Sequence, residues 1–189
     1  RLIAGVVAGS PLSARFIGDA SLSRRPMGRV ARPLTAMGAR FELVEAGEGL
    51  PMTVHGARLR GLTWRAETAS AQVKSAILLA GLVADVPVEV HERVPTRDHT
   101  ERMLVARGVD VLTEDGAVTL VPRARLDAAD QDVPGDPSSA AFFAALAALA
   151  DAGELALDDV CINPSRAGAF RVLRRMGAHL SYEGARTDG

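Results

Sequence analysis

A pattern that returns about every seventy residues constrains this chain more than any local propensity. Leu34–Phe41, Leu104–Val111 and Leu173–Leu180 each read as a helix end, a glycine and the start of a strand, with the glycines at Gly38, Gly108 and Gly177. Glycine just past a helix suits the left-handed stop position, where a Cβ would cost energy. A second feature recurs upstream of these: Ala69–Leu79 parallels Pro137–Leu146, both serine-led and apolar on more than one face, which predicts two buried helices. Alternation and breaker spacing place strands at Val86–Val90 and Leu155–Leu157, and a hairpin of Val109–Leu112 with Ala117–Val121. Ala178–Glu183 alternates as the start of a further strand. The repeating unit is therefore β-α-β-α-β-β, an α/β fold of α+β repeats. Polar Ala128–Asp132 followed by breaker-rich Val133–Pro137 predicts a hinge at Asp127–Pro134. The expected division is residues 1–131, two units of which the first is partly truncated, and 132–189, the hinge and an incomplete first unit of a second domain. Arg1–Gly9 opens on an apolar run with no capping residue ahead of it, so both ends are expected to cut through structural units.

Composition narrows the function classes. The 189 residues are 48% apolar, enough for one good core or two modest ones, and the formal net charge is -1. Nothing in that balance attracts nucleic acid or an anionic membrane, so any bound anion needs a local site. The apolar stretches Ser75–Ala84 and Ala140–Ala150 fall short of the roughly 20 residues of a bilayer span, and no signal-peptide layout opens the chain. The cytoplasm is the expected compartment. One cysteine, Cys161, leaves no internal disulfide, and no His/Cys spacing suggests a metal; Cys161 is expected as a small buried hydrophobe. Lys74 is the only lysine. Arginine's planar fork suits phosphate and carboxylate, although a GC-rich coding sequence explains most of its abundance.

Four segments carry candidate chemistry. Ser70 stands at the start of a helix, and the free backbone N–H groups and dipole of a helix start suit a phosphate; the ordinary alternative is that Ser70 caps its own helix. Gln72 places a neutral amide one turn into a buried helix, where it needs a partner. Arg97, on a loop ahead of an amphipathic helix, has the reach to meet an anion at a neighbouring helix start, or else pairs with Asp98 or Glu101 as a surface salt bridge. His99 is read as a structural group without a proton-transfer role. The stretch Gly18–Arg29 sets consecutive arginines before a proline, which fixes a loop able to aim one guanidinium at a carboxylate or phosphate, or else leaves a solvated basic loop. Asn163-Pro164-Ser165-Arg166 occupies in the third unit the place of Arg97 in the second, and is read as a helix-capping turn.

Gly18-Asp19-Ala20-Ser21-Leu22 with Arg25-Pro26-Met27-Gly28-Arg29, Ser70-Ala71-Gln72-Val73-Lys74-Ser75, Thr96-Arg97-Asp98-His99-Thr100-Glu101, Pro134-Gly135-Asp136-Pro137-Ser138-Ser139 and Asn163-Pro164-Ser165-Arg166 together resemble the 5-enolpyruvylshikimate-3-phosphate synthases, in their bacterial class II wording. The resemblance implies a two-domain enzyme of such units that transfers the enolpyruvyl group of phosphoenolpyruvate to shikimate-3-phosphate, without metal or organic cofactor. It further implies that Ser70, the Ala71 backbone, Gln72 and Arg97 hold shikimate-3-phosphate. Arg25 and Gln72 would bind phosphoenolpyruvate, and Arg1 would lie near that site. Arg24 stands where relatives commonly carry lysine, and Ser165 where they carry threonine. The family's proton-transfer groups match nothing in this sequence, so the chain alone is expected to be inactive. Its partners would be the two small molecules alone, with no nucleic acid or membrane, and the parent enzyme would be monomeric. The alternatives are the sister transferase acting on UDP-N-acetylglucosamine, whose mobile-loop cysteine has no counterpart here, and a non-catalytic phosphate-binding module.

Overall fold

A computed structural model describes residues 1–43, 49–122 and 126–187. It divides into two compact units, Arg1–Ala128 and Ala129–Gly189. In the first unit the chain runs α1 (Leu2–Ala8), β1 (Ser13–Phe16), α2 (Ala20–Ser23), α3 (Gly28–Met37), β2 (Arg40–Leu43), β3 (Met52–His55), β4 (Leu62–Arg65), α4 (Ala71–Ala84), β5 (Val88–His91), α5 (His99–Val105), β6 (Asp110–Glu114) and β7 (Ala117–Val121). From β4 to β7 the order is β-α-β-α-β-β, the repeat read from the sequence. One sheet is antiparallel in the order β1-β3-β2. The other runs β4-β5-β7-β6, with β4 and β5 parallel and the β6–β7 hairpin antiparallel beside β5.

The repeat glycines take up the predicted conformation. Gly38, Gly108 and Gly177 have φ of 119°, 76° and 103°; Gly38 is the C-cap of α3, and Gly108 and Gly177 lie in the turns just after α5 and the helix Gly168–Arg175. Behind Gly38, the Gly38 and Ala39 N–H groups donate to the Thr35 and Leu34 carbonyls at 2.9 and 3.0 Å, closing the last turn of α3.

Helix α4 is covered over most of its length: Val73 through Leu78, Ala80 and Gly81 are buried. Its Ile77 and Leu78 join Val30, Leu34, Met37, Met52, Val54, Val88, Val90 and Leu120 in one core. Each such large side chain contributes about 1.5–3 kcal/mol by leaving water. Helix α1 lies parallel to α4. A Cβ built on Gly5 would stand 2.1 Å from the Ala76 carbonyl oxygen, and one on Gly9 2.9 Å from that of Ala80. The two backbones thus touch at successive turns, which only small residues permit.

The second unit holds α6 (Pro137–Leu149), α7 (Gly168–Arg175) and an isolated bridge between Gly135 and Val160. Its core is small: Ala140, Ala167 and Phe170. Three expectations need correction here. Leu155–Leu157 and Ala178–Glu183 form no strand, because no ladder runs beside either stretch among the described residues. Helix α6 is not buried: Phe142, Leu146 and Leu149 are 79%, 68% and 84% exposed. Apolar character in a helix marks faces that suit burial, and within this unit only the Ala140 side finds cover. Cys161 is half-buried rather than fully enclosed, with its N–H donating to Gly135. Among the described residues no helix is long and apolar enough to cross a membrane, and no group of three or more His, Cys, Asp or Glu is placed to hold a metal ion.

Candidate functional site

Parallel pairing of β4 and β5 carries both strands to the same edge of their sheet, so the chain segments that follow them, Ala66–Ser70 and Glu92–Asp98, leave from that edge. Each leads into a helix, α4 and α5, whose free N–H groups and positive dipole end therefore face the same side. The two helix starts are fastened together: the Ser75 and Thr100 hydroxyls lie 2.7 Å apart, and Lys74 Nζ meets Glu101 Oε1 at 2.6 Å. Ser70 and Arg97 precede these fastened turns by a few residues each and so belong to one edge of one unit.

Ser70 occupies the N-cap position of α4 in extended conformation, φ -154° and ψ 101°, yet its hydroxyl makes no capping bond. Its carbonyl accepts from the Val73 and Lys74 N–H groups at 3.1 and 3.2 Å. Ser70, Ala71 and Gln72 are all half-buried. The ordinary reading of Ser70, a serine spent on its own helix, is not what the structure holds. The salt-bridge alternative for Arg97 also fails. Asp98 Oδ2 is taken by Arg102 at 2.8 Å and Glu101 by Lys74, while exposed Arg97 makes no ion pair among the described residues.

Gln72 finds its partner in Arg1, whose Nη1 donates to Gln72 Oε1 at 2.8 Å. The same guanidinium donates through Nη2 to the Pro26 carbonyl at 3.0 Å. Arg1 thereby ties the start of α1, the start of α4 and the loop carrying Arg25 into one cluster. That loop is more ordered than a solvated basic stretch. Asp19 caps the single turn of α2 by accepting from Leu22 N–H at 2.7 Å, and the Arg25 N–H closes onto the Leu22 carbonyl at 3.0 Å. The Arg24 and Arg25 side chains are left exposed.

In the second unit Asn163–Arg166 forms a turn, in which Asn163 Oδ1 accepts from the Ser165 N–H at 2.9 Å and the Ser165 hydroxyl at 2.7 Å, but it does not cap the helix as expected: α7 starts after Ala167, where no side chain makes a capping bond among the described residues. Arg166 then reaches the start of α6, where its Nη2 meets Asp136 Oδ1 at 2.5 Å and Ser138 Oγ at 2.9 Å. The Ser138 N–H, 3.1 Å away, holds the Asp136 carboxyl below the usual aspartate range, helped by Arg166 and Ser139. Here the negative charge at the helix start is the chain's own.

The sequence assigns no role to Lys74, Glu92 or Asp136, and offers Glu101 only as a partner for Arg97. The lone lysine, set inside an apolar helix, was the visible signal for Lys74 and its two glutamates; Asp136 ahead of Pro-Ser-Ser was a legible N-cap.

A sequence model of the family described as EPSP synthase (3-phosphoshikimate 1-carboxyvinyltransferase) matches residues 1–188. Among curated relatives, the 3-phosphoshikimate 1-carboxyvinyltransferase of Limosilactobacillus fermentum is 48% identical over 191 residues, covering 100% of this chain and 44% of that protein. The one from Parvibaculum lavamentivorans is 49% identical over 195 residues, covering 100% and 43%. A solved EPSP synthase from Acinetobacter baumannii superposes with a TM-score of 0.87 at 44% identity, over 100% of this chain and 42% of that one. The chain thus spans less than half the length of these relatives, and along nearly all of its own length it belongs to the EPSP synthase family.

Proposed function

We propose that this chain supplies the part of a 3-phosphoshikimate 1-carboxyvinyltransferase that grips shikimate-3-phosphate, and that the whole enzyme transfers the enolpyruvyl group of phosphoenolpyruvate to that substrate with release of phosphate. The observation that carries the reading is the shared edge of α4 and α5, where a serine hydroxyl not spent on its own helix accompanies an arginine without an ion-pair partner among the described residues. Ser70, the Ala71 N–H and Arg97 would bind the phosphate, because a helix start and a forked cation both favour an oxyanion. Gln72, oriented by Arg1, would lie between the two substrates. Arg25, on the loop that Arg1 holds at Pro26, would bind phosphoenolpyruvate. Two polyanions must approach for this reaction, and clustered guanidinium groups and helix dipoles offset their repulsion.

Residues 1–131 would form the shikimate-3-phosphate side and 132–189 the hinge and beginning of the second domain. Shikimate-3-phosphate and phosphoenolpyruvate would be the only partners, in a monomeric cytoplasmic enzyme without cofactor. Calorimetric titration of the chain with shikimate-3-phosphate tests the reading. Binding is expected, and Arg97→Ala should weaken it at least tenfold, since a charged hydrogen bond is worth about 1.5–3 kcal/mol. An unchanged dissociation constant in that variant, or binding of UDP-N-acetylglucosamine in place of shikimate-3-phosphate, overturns it.

A further inference from the structure

Beneath the proposed phosphate grip lies a group of charges that the reading above leaves without a role. Lys74 is 2% exposed, and its Nζ sits 2.8 Å from Glu92 Oε2 and 2.6 Å from Glu101 Oε1, with both carboxylates nearly as deeply buried. One formal positive charge faces two negative ones. Glu101 Oε2 is buried and receives no hydrogen bond among the described residues. Stability alone explains this poorly: apolar side chains of similar volume commonly do as well or better than buried ions, and an unpaired buried oxygen carries a further penalty. Buried polar networks instead fix geometry, because they tolerate few alternative arrangements.

What the network fixes can be followed bond by bond. The Lys74 N–H donates to the Ser70 carbonyl at 3.2 Å, placing the lysine one turn into α4. Its ammonium holds Glu92, the residue after β5, whose own N–H donates to Gly116 in the β6–β7 turn at 2.8 Å. Glu92 Oε1 accepts from the Thr96 hydroxyl at 2.5 Å, and Oε2 lies 3.4 Å from the Thr96 N–H. This folds residues 92–96 into a closed loop. Arg97 comes next in sequence. On the far side of Arg97, Glu101 and Thr100 are held by Lys74 and Ser75. The backbone is thus clamped to α4 both before and after Arg97, on both sides through the Lys74 ammonium and on the far side through Ser75 as well.

We infer that Lys74, acting through Glu92 and Thr96, is a positioning residue that sets Arg97 against the start of α4. The inference rests on the reading of Ser70 and Arg97 as the shikimate-3-phosphate grip, and the test separates the two. Thr96→Val removes only the last link, at a part-buried position, with little change of shape. Calorimetric titration with shikimate-3-phosphate should show binding weakened roughly three- to tenfold, the equivalent of one lost hydrogen bond. Thr96→Ser, which keeps the hydroxyl, should restore it. In an Arg97→Ala background Thr96→Val should cost nothing further, because there is no guanidinium left to aim. Lys74→Met, checked by circular dichroism, should show the same dependence on Arg97 if it folds; if it does not, the Thr96 cycle decides alone. Equal losses from Thr96→Val with and without Arg97, or no rescue by serine, would sink the positioning role while leaving the substrate reading intact. No effect of Arg97→Ala by itself would sink both.

Discussion

Substituting Gly5 by alanine tests the helix pairing on which the candidate site depends. The new Cβ would lie 2.1 Å from the Ala76 carbonyl oxygen, 2.9 Å from its carbon and 3.0 Å from its Cα, all of them backbone atoms inside α4. An ordinary carbon–oxygen contact needs roughly 3.3 Å, so the helices must part by roughly 1.2 Å at that turn. Overpacking of this kind costs about 1–3 kcal/mol, and the upper end applies because no flexible side chain can give way. Alanine's better helix propensity returns up to about 1 kcal/mol. The expected net loss is about 2 kcal/mol, a fall in melting temperature of roughly 5–10 °C. Trp64, the only tryptophan, packs partly buried against the same core, so urea unfolding followed by its fluorescence reads the change directly. An unfolding midpoint equal to or above that of the unsubstituted chain would show that the two backbones do not meet as described.

Ser70→Ala should spare stability, since the hydroxyl caps nothing and the usual loss of about 1 kcal/mol for a removed cap is not incurred; a clear drop in melting temperature would contradict the observed geometry. Gly38→Ala, at φ 119°, should cost about 1–3 kcal/mol and more than Gly108→Ala at φ 76°, which lies closer to the left-handed region open to other residues. The reverse order in denaturant titrations would refute the strain argument. Because the Asp136 carboxyl is held below its ordinary value of 3.8, its contribution is present in full above that pH and is lost as pH falls through the folded-state value. Asp136→Asn should therefore flatten the acid side of the stability profile while leaving its slope near neutrality alone, which acid titration followed by circular dichroism checks.

The order of elements was legible because the repeat is written in residues whose backbone demands are specific. Gly38, Gly108 and Gly177 could be read as helix stops from spacing alone, and all three adopt positive φ. Strands β5, β6 and β7 fall within a residue or two of their predicted places. Burial was harder to read, because it depends on what lies opposite. Helices α4 and α6 have the same apolar look, yet α4 is buried over most of its length while α6 buries only Pro137 and Ala140. Side-chain pairing across long intervals was the least legible. Nothing local says that Lys74 meets Glu92 and Glu101, or that Arg166 meets Asp136, although the placement of each charged residue inside or just before an apolar helix asked for such a partner.

The close, parallel run of α1 beside α4 also bears on the proposed phosphate grip. Two peptide dipoles point the same way from a shared face, and their positive poles are properties of the main chain, not of any side chain. Replacing arginines one at a time would thin the attraction for a phosphoryl group without inverting its sign. Abolishing it would mean dismantling the helices that form the core.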